Sequence, residues 1–202
     1  MKPRREIGEE ARRQALRQAM LLFWAEGPAR TSYDDLVAAT GLSRKALYAL
    51  WPEKNALARE AVALYREEVL APLLAELAHG GAKGLEAFWK ALATSVRRDG
   101  WSGCLLFRTA SGTDEDPEIV ARLKQHVALL RAGFEKAIRQ AAAAGDLARP
   151  VAPVAGAWQA VAIAGLISTH AMRARLGSSL ASLVRAGRDA CGLPAEPRRR
   201  TR

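Results

Sequence analysis

Apolar residues recur three and four positions apart along most of the chain, and no segment alternates cleanly with a period of two. Ala, Leu, Arg, Glu and Gln dominate, and runs of β-branched residues are scarce, so local propensity and pattern both favour helix. Gly and Pro punctuate the pattern at Gly27-Pro28, Gly41, Pro52, Gly80-Gly81, Gly84, Gly100, Gly103, Gly112, Gly145, Pro150, Pro153, Gly177 and Gly192. Between these marks the pattern predicts helices over 7–26, 33–40, 44–50, 53–78, 85–98, 103–111, 116–144, 152–176 and 179–191. One long and two very short helices precede residue 52, and mostly long amphipathic ones follow it. The expected fold is all-α, with a small module at 1–51, a larger helical domain at 52–192 and a basic, disordered tail at 193–202.

Residues 31–50 carry the sharpest local signal. Ser32 followed by Asp35 is a capping-box start for a helix that stops at Gly41, and Ser43 is placed to cap the next one. Two helices of about two turns joined by Gly41-Leu42-Ser43 fit a helix-turn-helix. In the second, Leu47 and Leu50 share one face, while Arg44, Lys45 and Tyr48 project from the other. Arg and Lys at such a helix start can reach base edges or phosphates, and a Tyr hydroxyl can donate to a phosphate. The same spacing also suits two connecting helices with solvated charges, and spacing alone leaves both readings open.

Charge and composition narrow the classes. The 202 residues hold 31 Lys and Arg against 21 Asp and Glu, a formal charge of +10, which favours phosphate-bearing partners. Part of that excess is Arg198, Arg199, Arg200 and Arg202 in the tail, where it can serve solubility alone. The most apolar stretch, 151–167, is too short to span a bilayer, and the first residues lack the apolar core of a signal peptide. Two cysteines, Cys104 and Cys191, make no disulfide framework, so a cytoplasmic setting is expected. His79, His126 and His170 stand apart from further ligands at metal spacing, and no phosphate loop or serine elbow occurs, so neither an enzyme nor a cofactor is expected. Asp114, Glu115 and Asp116 before Pro117 read as an acidic helix start.

The motifs of residues 19–57 resemble the DNA-binding domain of the TetR/AcrR family. The likeness rests on Phe23 and Gly27 closing the first helix, Thr31-Ser32, Gly41-Leu42-Ser43, Leu47-Tyr48, Trp51, and Lys54 opening the fourth helix. It implies DNA contacts at Ser32, Arg44, Lys45 and Tyr48, with Lys54 on a phosphate. It further implies a homodimer on a palindromic, double-stranded operator, a repressor's role, and a small-molecule effector acting on the larger domain. Three positions depart from the pattern: Leu50 stands where a phosphate-binding His is common, Trp51 replaces a Phe, and Val37 a small Ala.

Phe88, Trp89, Trp101, Phe107, Phe134 and Trp158 put large apolar bodies on the later helices, where they can line a pocket or fill the core. Trp89, Cys104, Phe107, His126 and Trp158 are the candidate pocket residues. Cys104 follows Gly103 at an expected helix start close in sequence to Arg97, Arg98 and Arg108, a setting that lowers a thiol pKa. It therefore carries an alternative, a regulator switched covalently by an oxidant or electrophile. A second rival is a basic helical protein of membrane or partner surfaces. Ala155, Ala162, Leu166, Leu180, Leu183 and Val184 are the small and apolar positions expected in a dimer interface.

Overall fold

A computed structural model of the chain describes residues 8–98, 100–110, 116–168 and 179–195. Its helices are α1 (Glu9–Glu26), α2 (Tyr33–Thr40), α3 (Arg44–Leu50), α4 (Lys54–Tyr65), α5 (Ala71–Ala78), α6 (Gly81–Ser95), α7 (Leu105–Ala110), α8 (Pro117–Ala144), α9 (Pro153–Ser168) and α10 (Leu180–Ala190). The fold is all-α. The chain forms two compact units, one from Met1–Glu68 with Leu105–Leu123 and the other from Val69–Cys104 with Lys124–Arg202. The division expected from sequence falls at 51–52. Compactness draws the line later, because α4 packs on α1 and α7 returns to the same unit.

In the first unit α1 buries Ala15, Leu16, Ala19, Met20 and Phe23, a stripe at helical spacing. Trp24 meets Tyr65 of α4 edge to face at 5.1 Å, and Arg12 reaches Glu60 at 2.6 Å. Gly27 ends α1 with φ of 86°, a conformation that a side chain would strain. Arg108 of α7 donates to the Ala25 carbonyl beside that end. Arg59 of α4 donates to Asp116 at 2.8 Å, and Asp116 also accepts from the Glu118 and Ile119 N–H groups that open α8.

The second unit is built around a ring cluster. Phe88 and Trp89 of α6 meet edge to face at 5.3 Å, and both contact Phe134 of α8, at 4.8 and 5.6 Å. Leu85, Leu92, Ile138, Ala157, Ala160 and Ile167 close around them. Gly187 of α10 lets that helix lie against the indole of Trp89, where a Cβ would sit 2.3 Å from the ring. Arg188, almost wholly buried, pairs with Glu86 of α6 and donates to the Pro194 carbonyl at 3.1 Å.

Proline and glycine account for two of the departures from the expected helix boundaries. The helix expected over 53–78 is interrupted by a π-helical turn, Arg66–Leu70, just ahead of Pro72. Proline lacks the N–H for a bond to residue 68 and its ring crowds that carbonyl, so the backbone detours there. The helix expected from 85 begins at Gly81, with Gly84 inside it. Gly84 is kept open by a neighbour, since a Cβ there would stand 3.0 Å from the Leu77 carbonyl. Residues 169–176 of the helix expected over 152–176, His170, and the tail from 196 lie outside the described residues. No described helix is long and apolar enough to cross a membrane.

Candidate nucleic-acid interface

The local sequence builds α2 and α3 with little help. Ser32 caps α2 by accepting from the Asp35 N–H at 3.1 Å, while the Ser32 N–H donates back to the Asp35 carboxylate at 2.8 Å. The Ser32 hydroxyl also donates to that carboxylate at 2.6 Å, and these bonds hold the Asp35 carboxyl below its ordinary pKa. Thr31, buried beneath, donates to the Gly27 carbonyl. Gly41, with φ of 70°, ends α2 in the left-handed region, and Thr40 ties the turn by accepting from the Leu42 N–H at 3.2 Å. Ser43 then caps α3 by accepting from the Ala46 N–H.

Packing orients the pair. Leu36 and Leu47 are wholly buried, and Trp51 closes α3 beneath the Arg12 guanidinium, 5.3 Å from the ring centroid. With Leu47 inward, Arg44, Lys45 and Tyr48 are all exposed on the opposite side of α3. Two cations in the first turn of a helix oppose its dipole, a local cost of a few tenths of a kcal/mol or more. That violation of a local rule concentrates positive potential at one end of α3.

The expected site residues do not all stand alone. Lys54 donates from Nζ to the Thr31 carbonyl at 3.0 Å, which brings its ammonium beside Ser32 at the start of α2. Ser32 and Lys54, 22 positions apart in sequence, therefore share one spot. Arg44 is joined to Asp34 at 2.7 Å. Tyr48 is stacked on Tyr33, ring centroids 4.6 Å apart, and Arg44 lies 6.0 Å from the Tyr33 ring. Burial first, and then Tyr48, raise the Tyr33 phenol above its ordinary pKa, so it remains a neutral donor at physiological pH. Sequence reasoning missed Tyr33 and Asp34 as members of this surface. Both are read locally as helix-start residues, and their partners lie 15 and 10 positions away.

The candidate pocket residues have different settings. Trp89 is wholly buried in the ring cluster, and His126 is buried. Trp158 is 52% exposed with Arg131 over its ring at 5.8 Å, so it lies on the surface instead of lining an interior. Phe107, half-buried, belongs to the first compact unit, whereas the other four belong to the second. Cys104, left open between a reactive thiol and core packing, is enclosed. It is 6% exposed, its N–H is taken by the Ser168 carbonyl at 2.8 Å, and the helix that follows has six residues. Arg108, counted among its neighbours in sequence, is committed to Ala25. Burial pushes the other thiol, Cys191, up to about 12.

Comparison with known proteins bears on the family and the fold. Residues 15–61 match the profile "Bacterial regulatory proteins, tetR family", and 81–190, more than half of the chain, match "Tetracyclin repressor-like, C-terminal domain". The HTH-type transcriptional repressor ComR of Escherichia coli K12 is 29% identical over 138 residues, which span 66% of each protein, just under two thirds. The TetR-family regulator SCO4454 of Streptomyces coelicolor superposes with a TM-score of 0.73 at 17% identity, over 92% of this chain and 96% of that one. A cysteine-substituted CifR, solved on a 26-bp operator duplex, gives 0.73 at 22% identity, over 95% and 98%. At such identities these two structures speak for the fold. The chain belongs to the TetR family of non-enzymatic transcriptional regulators, and α2 and α3 are its DNA-binding helix-turn-helix.

Proposed function

We propose that this protein is a cytoplasmic, ligand-responsive repressor that grips a palindromic operator as a homodimer. The observation that carries the reading is the single exposed face of α3, on which Arg44, Lys45 and Tyr48 stand opposite buried Leu47. Arg44 and Lys45 address base edges in the major groove. Ser32, Tyr48 and Lys54 hold phosphates on either side and set the register. The DNA-reading function is assigned to residues 1–51 and effector response with dimerisation to 52–192.

The two-subunit reading is supported by α9, which carries no charged residue and leaves Val154, Ala155, Trp158 and Ala162 exposed beside a single polar side chain, Gln159. A helix whose exposed face is mostly apolar is best covered by another apolar surface. Leu166, Leu180, Leu183 and Val184 are half-buried and extend the set. Two-fold symmetry would set the half-sites about one DNA turn, roughly 34 Å, apart or a multiple of it. The ComR name and the CifR operator complex support repression and operator binding by analogy. Among triggers, a reversible effector is favoured over a switch at Cys104, because a buried thiol is shielded from oxidants and electrophiles.

The test is selection of DNA fragments by the purified protein, followed by titration of the enriched sequence across salt concentrations. One short palindrome bound by a dimer, with affinity falling steeply as salt rises, is the expected result. Equal affinity for the scrambled sequence sinks the reading. Charged substitutions at Leu166 and Leu183 together should give monomers with poor operator affinity; a sedimentation profile that stays dimeric moves the interface elsewhere.

A further inference from the structure

The reading surface carries an exposed carboxylate beside its most useful cation. The Asp34 side chain is 86% exposed, and its Oδ1 accepts from Arg44 Nη2 at 2.7 Å. The Arg44 guanidinium also lies 6.0 Å from the ring of the preceding residue, Tyr33, itself stacked on Tyr48. The guanidinium is thus held by two adjacent residues in the first turn of α2, by the charge of Asp34 and by the ring of Tyr33. An exposed ion pair of this kind adds little to folding, about 0–1 kcal/mol. A carboxylate on a surface that meets a polyanion also costs general affinity. Neither stability nor non-specific attraction accounts for the arrangement.

Its geometry suits discrimination. A guanidinium presents five N–H donors in a rigid fork, and reading guanine bidentately uses two of them on one edge. Free in solution, Arg44 would also swing to the nearest phosphate, a contact that carries no sequence information. With one amino group bonded to Asp34, its charge is partly neutralised and the remaining N–H groups point in a fixed direction. A phosphate approaching the same spot is repelled by the carboxylate.

We propose that Asp34 is a specificity-determining residue, which withholds Arg44 from phosphates and orients its free edge toward a base. This rests on the reading that α3 enters the major groove. The experiment compares full-length wild type, Asp34→Asn, Arg44→Ala and the double variant. Each is titrated with the selected operator, with operators altered at single base pairs, and with a scrambled duplex, across salt concentrations. For Asp34→Asn, scrambled DNA should bind more tightly, and the salt slope should steepen by about one unit as Arg44 takes a phosphate. The ratio of operator to scrambled affinity should fall roughly tenfold, with base preference relaxed at the position that Arg44→Ala also relaxes. In the Arg44→Ala background the same substitution should leave base preference unchanged.

Three results overturn it. One is an unchanged affinity ratio in Asp34→Asn. Another is an equal shift with and without Arg44, which makes Asp34 a bulk charge. The third is a preference lost at a different base pair, which makes Asp34 a base reader itself. If Arg44→Ala leaves operator binding intact, the reading of Arg44 as a base contact falls as well; if it weakens binding while Asp34→Asn changes nothing, only the role of Asp34 falls.

Discussion

The α2–α3 pair and the ring cluster of the second unit solve opposite problems with similar residues. In the pair, short helices are held by their own caps, from Ser32, Gly41 and Ser43, and the aromatic side chains Tyr33 and Tyr48 stack on the outside. In the cluster, Phe88, Trp89 and Phe134 are consumed by packing, and glycines at 84 and 187 bring backbones close enough to seal them. The first region spends its chemistry on a surface. The second spends it on density, and Trp158, which escapes the cluster, shows that ring type alone decides neither outcome. Substitutions in the two regions should therefore separate binding from stability.

Trp89→Ala is the largest expected effect, a loss of about 3–5 kcal/mol in unfolding free energy, read by denaturant titration. Gly187→Val should cost about 1–3 kcal/mol or more through overpacking against the same indole. If both are tolerated, the cluster is not the stability centre and the contrast collapses. Lys45→Ala and Arg44→Ala should each weaken operator binding by about 1–3 kcal/mol while leaving the denaturation midpoint unchanged. Unaltered affinity in both variants would remove the recognition-helix assignment.

Ser43→Ala sharpens the comparison, since it removes the cap of α3 and should cost about 1 kcal/mol of stability, with binding reduced in parallel. Lys54→Ala should weaken binding to all sequences alike and lower the salt slope by about one unit; loss at a single base pair would contradict its phosphate role. The smallest effect concerns pH. Burial alone would raise the Asp116 carboxyl, but the Arg59 hydrogen bond and the Ile119 and Glu118 N–H groups outweigh it and leave the pKa depressed. A depressed carboxyl contributes stability above its ordinary value near 4, and that contribution is lost as pH falls through the lower folded value. Asp116→Asn keeps a capping side chain yet removes the charge, so its stability should fall less steeply than wild type below pH 4. Parallel acid limbs would show that the pair does not govern acid unfolding.

Much of the reading face is encoded within a few residues. The capping box of α2, the serine cap of α3, the glycine turn and the three-residue spacing of Leu47 and Leu50 are interactions between near neighbours, so the pattern reveals α2, α3 and the outward set Arg44, Lys45 and Tyr48. The partners of those side chains were not legible. Asp34 to Arg44, Tyr33 to Tyr48 and Lys54 to Thr31 are contacts between elements, and their distances depend on how the helices cross.

The sequence by itself determined an all-helical chain, its punctuation, and the motifs that identify its DNA-binding helices, because helix caps and periodicity act over three or four residues. Only the tertiary structure decided which tryptophan is core and which is surface, and that Cys104 is enclosed. Those outcomes depend on which faces meet: Trp89 is buried because Gly187 leaves room for it, whereas Trp158 projects from α9 beneath Arg131.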